Sequence, residues 1–414
     1  MSLRLLAQRY LPISPRHLSL LTTDGEDGNP AAVVAMAAAF DPQNRIFFLE
    51  WDNPTDAASF RLTHARVPGK NSASSGSSSS ITALTLVRSL DGVIHCVVQC
   101  ATVKGGNKEN TVANSYVYRR TVEKESDDDS DDDDNDNNMG YGSVEVRYRK
   151  LPKALEDDGR LWTAATRLYR SDGGNSCGGR VMVACGGEKG AVNALKTLRL
   201  TGTRLSVEQT LELPMLSTFP VLQLREIDGD ASAVLALCHH AMLEIDPRLR
   251  PQESVVRAWK WSPHDPLTAF AVKDNAIVAG TEEGVVVAWD MRVGGSVREK
   301  SYHHAVDHSD ACGAPVTGLH MPHSTTLLSC HADGSVLLWD RRTATTTAAN
   351  TTANTNTTST TTRIDGFRFT ATAAAADVLP PVFAGTPGCV GLAAEDQLVV
   401  VADESGTISV FAML

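Results

Sequence analysis

Two stretches of this chain are versions of one another. "NAIVAGTEEGVVVAWDMR" (275–292) and "TLLSCHADGSVLLWDRR" (326–342) align without a gap. Gly284 and Gly334 lie 50 residues apart, and each stands five residues before a Trp-Asp pair. "LVVVADESGTISVF" (398–411) repeats the layout, with Gly406 five residues before Phe411. Gly334 and Gly406 are 72 apart, and setting aside the low-complexity residues 343–363 restores a spacing of 51. Each copy is a pair of apolar runs joined by an acidic, glycine-containing turn, which is hairpin chemistry. One such unit cannot bury its apolar face alone, so repeated units must pack on one another.

A period near 50 residues, with short β-type runs and an aromatic-acidic pair closing each copy, predicts an all-β propeller. The stretch "LLSCHADGSVLLWD" resembles the second strand, tight turn and third strand of the WD-repeat family nearly position by position. Two copies match well and the third fairly. Weaker units parse as strand pairs. They are "AVVAMAAAFDPQNRIFFLEWD" (32–52), "VIHCVVQCATV" with "VANSYVYRRTV" (93–122), "RVMVACGGEKGAVNALKTL" (180–198) and "ASAVLALCHHAMLEID" (231–246). Together with the clear copies they make seven units, the family's usual number. We therefore expect one domain over 1–414, a seven-bladed β-propeller.

The chain ends on "TISVFAML", the third strand of the last unit by this count. A fourth strand is missing there, and an unpaired edge invites aggregation. "RLLAQRYLPI" (4–13) precedes the first unit and belongs to none. Paired outside the last strand, it supplies the missing partner and closes the ring. The alternative is a short helix docked elsewhere.

Three stretches lack the apolar content to repay ordering and are expected as disordered loop insertions, at 69–80, 123–140 and 343–363. The second contains "SDDDSDDDDND" (126–136) with eight aspartates. Without them the formal net charge of −11 falls to −3, so the remainder is nearly neutral and no nucleic-acid surface is expected. Ser126 and Ser130 precede acidic residues and suit acidophilic kinases, and the acidic run could take a basic protein partner. The eight cysteines form no Cys-x-x-Cys pair, which fits a reducing, intracellular setting, cytoplasmic or nuclear. No apolar run reaches bilayer length, and "MSLRLLAQRYLPIS" does not read as a leader, so no membrane insertion is expected.

The family resemblance implies a hydrogen-bonded relay in the sixth unit. Trp339 would donate to Ser329, Ser329 would bond His308 (or His304), and the histidine would bond Asp333. In the fifth unit Ala279 and Glu283 stand at the serine and aspartate positions, so the relay is missing there. A Ser, His and Asp together also raise a hydrolase triad. The serine, however, lies inside an apolar strand rather than on a glycine-flanked elbow. The family includes a rare enzyme branch, the diphthine methylesterases, but no motif here selects it. Six histidines cluster at His303, His304, His308, His320, His323 and His331 without a zinc spacing, and no Walker loop is present. We expect no enzyme activity, no cofactor and no metal.

The function expected is protein binding, as a scaffold or subunit of a larger intracellular complex. "WDMR" and "WDRR" both read Trp-Asp-x-Arg, placing Asp290, Arg292, Asp340 and Arg342 at the ends of neighbouring strands. This doublet resembles the motif of family members that dock on adaptors of cullin-ring ubiquitin ligases. A substrate receptor is therefore the alternative function, and a propeller hydrolase the third.

Overall fold

The structure is a computed structural model. It describes residues 3–23, 30–38, 41–52, 60–68, 78–89, 91–103, 111–124, 144–151, 160–168, 179–186, 193–202, 204–213, 220–227, 230–292, 304–306, 314–324, 326–334, 336–340, 370–371, 388–395 and 397–413. Among these residues there is no helix; every regular element is a strand. The described residues are all-β and form a propeller-like set of four-stranded antiparallel sheets, seven among the described strands.

Strand β1 is Leu3–Tyr10. The first sheet then runs β2 (His17–Thr22), β3 (Ala32–Ala37), β4 (Arg45–Trp51) and β5 (Phe60–Arg66). The second holds β6 (Ser78–Arg88), β7 (Ile94–Val103), β8 (Thr111–Lys124) and β9 (Val144–Lys150). The third holds β10 (Trp162–Leu168), β11 (Arg180–Cys185), β12 (Ala194–Thr201) and β13 (Arg204–Glu212). The fourth is β14 (Val221–Ile227), β15 (Asp230–Cys238), β16 (Ala241–Ile245) and β17 (Val255–Lys260). The fifth is β18 (Leu267–Lys273), β19 (Ala276–Thr281), β20 (Val286–Asp290) and β21 (His304–Val306). The sixth is β22 (Val316–His323), β23 (Thr326–His331), β24 (Val336–Asp340) and β25 (Thr370–Ala371). The last is β26 (Cys389–Glu395), β27 (Leu398–Asp403) and β28 (Thr407–Met413), with β1 as its outer strand.

Residues 3–10 are thus a strand and not a docked helix. β1 lies antiparallel to β28, from Leu3 opposite Met413 to Tyr10 opposite Thr407. The chain just beyond β1 is also held, since the Leu11 amide donates to the Gly406 carbonyl at 2.8 Å.

The core explains why the sheets stand face to face. Residues alternate along each strand, so each sheet has two apolar faces and needs a neighbour on both sides. The first strand of each sheet packs on the first strand of the next: β2 on β6, β6 on β10, β10 on β14, β14 on β18, β18 on β22, β22 on β26, and β26 on β2. Each hydrophobic cluster is shared by two neighbours. One joins Ala269, Val278 and Ala288 to Val316 and Leu327. Another joins Val34, Phe47 and Trp51 to Val400, Ile408 and Val410, with Leu11 between.

The repeated turns have one geometry. Gly284, Gly334 and Gly406 have φ of 84°, 88° and 90°. Their amides donate to the carbonyls of Thr281, His331 and Asp403 at 3.2, 3.0 and 3.2 Å. That left-handed backbone favours glycine, which is why the repeat keeps one there.

Two expected insertions are shorter than the sequence suggests. Residues 78–80 of the first are strand, opposite Val103, Thr102 and Ala101, and the Ser79 hydroxyl meets Thr102 Oγ1 at 2.9 Å. Residues 123–124 of the second are also strand, opposite Glu145 and Val144. Composition misleads at both places because ladder bonds use the backbone, which serine and lysine carry as well as valine does. Residues 69–77, 125–140 and 343–363 lie outside the described residues.

A buried ion pair ties the first sheet to the second. Glu50 on β4 and Arg120 on β8 have side chains 1% and 5% exposed. Arg120 Nε donates to both carboxylate oxygens, at 3.0 and 3.1 Å. The Tyr148 hydroxyl on β9 donates to the same carboxylate, and its ring stacks on Phe48 with centroids 3.6 Å apart. Burial first, and then the Glu50 charge and hydrogen bond, hold that phenol well above its ordinary pKa.

Candidate functional site

Loops and strand ends carry function on a rigid sheet scaffold. Asp290 is the last residue of β20. Its Oδ1 accepts the Arg292 amide at 2.9 Å and Nε at 3.0 Å, while Oδ2 accepts an Nη at 2.6 Å. The aspartate thereby makes a local turn and also clamps the guanidinium two residues on. The Arg292 side chain is 67% exposed and its aspartate 17%. The hydrogen bond and charge of Asp290 raise the pKa of Arg292, which stays cationic throughout.

The preceding sheet repeats this arrangement, which the motif search missed. Asp246 directly follows β16. Its Oδ1 accepts the Arg248 amide at 3.0 Å and Nε at 2.9 Å, and Oδ2 accepts an Nη at 2.7 Å. Arg248 is 63% exposed and Asp246 14%. The hydrogen bond from Arg248 outweighs burial and lowers the Asp246 pKa. The stretch here is Ile245-Asp246-Pro247-Arg248, so a search keyed on tryptophan passes over it, whereas Asp-x-Arg after an apolar strand finds it. In the sixth sheet Asp340 ends β24, opposite Thr326 and Thr370. Arg342 lies outside the described residues, as do Ser126 and Ser130.

Two members of the expected relay, Ser329 and Asp333, are among the described residues. Ser329 is fully buried on β23, and Asp333 is exposed in the turn. His308 lies outside the described residues, and of Trp339 only the backbone is described, opposite Leu327 and Ala371. The structure gives Ser329 a partner that the sequence reading did not name. His331 Nε2 stands 3.0 Å from the serine hydroxyl, and its Nδ1 stands 3.3 Å from the Ala314 carbonyl. Because residues two apart on a strand point to the same face, this pair is local. Burial lowers the His331 pKa, against the raising effects of the Ala314 carbonyl and of Asp333. Ser329 is 0% exposed and His331 1%, so this pair is inside the sheet stack rather than at a surface.

The fifth sheet holds its turn with other residues. Ala279 is fully buried opposite Val287, the register Ser329 keeps opposite Leu337. The indole N–H of Trp289 has no hydrogen-bond partner among the described residues. The turn is held instead by Asp265, which accepts the Glu283 amide at 3.0 Å, and by Thr281, which accepts the Val285 amide at 3.0 Å. Supplying the missing hydroxyl tests the relay directly. Ala279→Ser is expected to raise stability by about 1 kcal/mol, the net worth of a hydrogen bond made to an otherwise orphaned donor. Denaturant titration reads it; a loss of about 1–3 kcal/mol, the cost of a buried hydroxyl left alone, would show that Trp289 does not reach position 279.

Among the described residues no three His, Cys, Asp or Glu side chains are grouped to hold a metal ion. No described helix is long and apolar enough to cross a membrane. The six described cysteines are free and buried, and burial pushes the thiol of Cys100 up to about 11 and of Cys238 to about 12. No family model matches the chain, and no curated protein matches it.

Proposed function

We propose that the chain is a seven-bladed propeller of the WD-repeat type, its ring sealed by β1 beside β28. In this reading it works without catalysis, as a protein-interaction scaffold or a subunit of a larger intracellular complex, cytoplasmic or nuclear. The observation that carries this is the pair of clamped arginines at equivalent strand ends of neighbouring sheets, Asp246–Arg248 and Asp290–Arg292. Each guanidinium is forked onto its own aspartate, and the side chain stays mostly exposed, at 63% for Arg248 and 67% for Arg292. Because the clamp fixes the fork in advance, a partner meets it with less ordering cost. Buried, free cysteines support a reducing compartment. The burial of Ser329 and His331 speaks for a structural pair and against a hydrolase.

A second reading is favoured by one specific feature, the Trp-Asp-x-Arg doublet at 289–292 and 339–342: a substrate receptor that docks on a ubiquitin-ligase adaptor. One experiment addresses both readings. Affinity purification of the tagged chain is compared with the triple variant Arg248→Ala/Arg292→Ala/Arg342→Ala. The expected outcome is loss of tenfold or more of the co-purifying partners, at an unchanged melting temperature, since each interface arginine can be worth about 1–2 kcal/mol or more. Equal recovery by the variant removes the arginine face from the proposal. Absence of any ligase adaptor among the wild-type partners removes the second reading.

A further inference from the structure

The joint between the sixth and last sheets holds a pair of thiols. Cys330 is next to last in β23 and Cys389 opens β26, and both are buried in the apolar cluster that the two sheets share. Cys330 lies opposite Gly318 on β22. Residues opposite one another on an antiparallel pair share a face. Gly318 faces the last sheet, since an added Cβ there would meet Leu392 Cβ at 2.5 Å. Cys330 therefore points across the joint. From the other side the chain enters β26 through Gly388, whose added Cβ would fall 1.6 Å from the Ala332 carbonyl oxygen. The backbones beside the two cysteines are thus in direct contact, and the thiols of Cys330 and Cys389 are hydrogen-bonded to each other. Cys96 and Cys100 make a useful contrast. They share β7, but four residues of strand set them about 13 Å apart, beyond the reach of a bridge.

We propose that Cys330 and Cys389 form a cross-linking site, a dithiol at rest that a small disulfide of the oxidised-glutathione class converts to an intrachain disulfide, stapling the sixth sheet to the last. The chemistry is thiol–disulfide exchange. One cysteine loses its proton, and its sulfur attacks the glutathione disulfide. A bond forms between the protein sulfur and one glutathione, and the other glutathione leaves as a thiolate that takes up a proton. The second cysteine, also deprotonated, then attacks the protein sulfur of this mixed disulfide. The protein S–S bond forms, and the remaining glutathione leaves and is protonated. Two protein thiols have given up two electrons, and one glutathione disulfide has become two thiols.

Burial sets the pace of this exchange. Burial first, and then the hydrogen bond and charge of Cys389, hold the Cys330 thiol well above its ordinary pKa, so thiolate is scarce while the sheets are packed. Cys330 is 0% exposed and Cys389 1%, so an oxidant reaches them when the joint opens locally or while the chain folds. The same shielding protects the bridge from reductant once it has formed. The staple closes the stretch of chain from 330 to 389, which carries β24 and β25, and so removes that loop's freedom from the unfolded chain. The site is independent of the arginine clamps. In the reducing compartment proposed above it rests as two thiols and responds to a shift of that poise.

The test uses the full chain with oxidised glutathione as probe, added to the folded protein and, in parallel, during refolding from urea. Non-reducing peptide mapping and thermal melts are the readouts. The expected result is a peptide pair joined through Cys330 and Cys389 in both arms, formed faster during refolding. The bridged chain should melt several degrees above the reduced one. Dithiothreitol should open the bridge about tenfold or more slowly in buffer than in urea. Cys330→Ala and Cys389→Ala should each lose both the bridge and the gain in melting temperature. Cys177 and Cys312 lie outside the described residues, and the bridge should persist in Cys177→Ser/Cys312→Ser, which removes them as competing partners. Absence of the 330–389 linkage from both arms would overturn the proposal, as would glutathione retained on either cysteine as a stable mixed disulfide. A linkage that lowers the melting temperature would overturn the staple, since a bridge that forces the sheets apart does not hold them together.

Discussion

Glu50→Gln should cost about 3–5 kcal/mol of stability, the range for removing one partner of a buried ion pair. The loss is large because the change leaves the Arg120 charge buried without its counter-ion, not because the pair itself is strongly stabilising. Arg120 is 5% exposed and cannot turn to water without opening the contact between the first and second sheets. The Tyr148 hydroxyl loses its carboxylate acceptor in the same step. Replacing both charges, as Glu50→Leu/Arg120→Met, should recover most of the loss, since an apolar pair of similar volume carries no desolvation penalty. A double-mutant cycle on urea midpoints measures this. Single variants within about 1 kcal/mol of the wild type would mean that water reaches the pair and that it acts as a surface bridge.

That ion pair also marks a boundary of what the sequence discloses. Glu50 stands in "RIFFLEWD" and Arg120 in "SYVYRRTV", and no spacing rule connects two positions 70 residues apart. Which strand faces which is decided by sheet stacking, so the partner of a buried charge is a tertiary fact. The repeated turns are the opposite case. A left-handed glycine, an acidic residue and alternating apolar runs are local requirements, and they are legible wherever they recur. Ser329 falls between the two. Its place on a buried strand could be read, whereas its contact with His331, two residues along at 3.0 Å, was not named from the sequence. Asp246–Arg248 was overlooked for a simpler reason: the strand before it ends in isoleucine, while the clamp needs only the aspartate and the arginine. The cavity among the first strands could not have been read at all, because its lining is drawn from strands as far apart as residues 16 and 392.

Removal of residues 1–13 should lower the melting temperature and drive the chain into oligomers. The truncation strips β28 of its outer partner along the register from Leu3–Met413 to Tyr10–Thr407, exposing ladder groups on an apolar strand. It also removes Leu11, fully buried, and Ile13, 9% exposed, from the cluster between the first and last sheets. At about 1.5–3 kcal/mol for each buried side chain, those two alone account for about 3–6 kcal/mol. A domain's whole margin is about 5–15 kcal/mol, so the truncated chain should be close to unfolding at ordinary temperature. A point change separates loss of the strand from loss of its seat. A Cβ on Gly406 would come within 2.2 Å of the Leu11 carbonyl and 2.5 Å of the Ile13 carbonyl, at φ of 90°. Gly406→Ala must therefore push the 11–13 segment away while leaving every residue of β1 present. Gly202, with φ of 59° and nothing within 4 Å of its added Cβ, is the control for backbone strain alone. If Gly406→Ala is no worse than Gly202→Ala in thermal melts, and the truncated chain stays monodisperse in light scattering, the first strand does not hold the last sheet in solution.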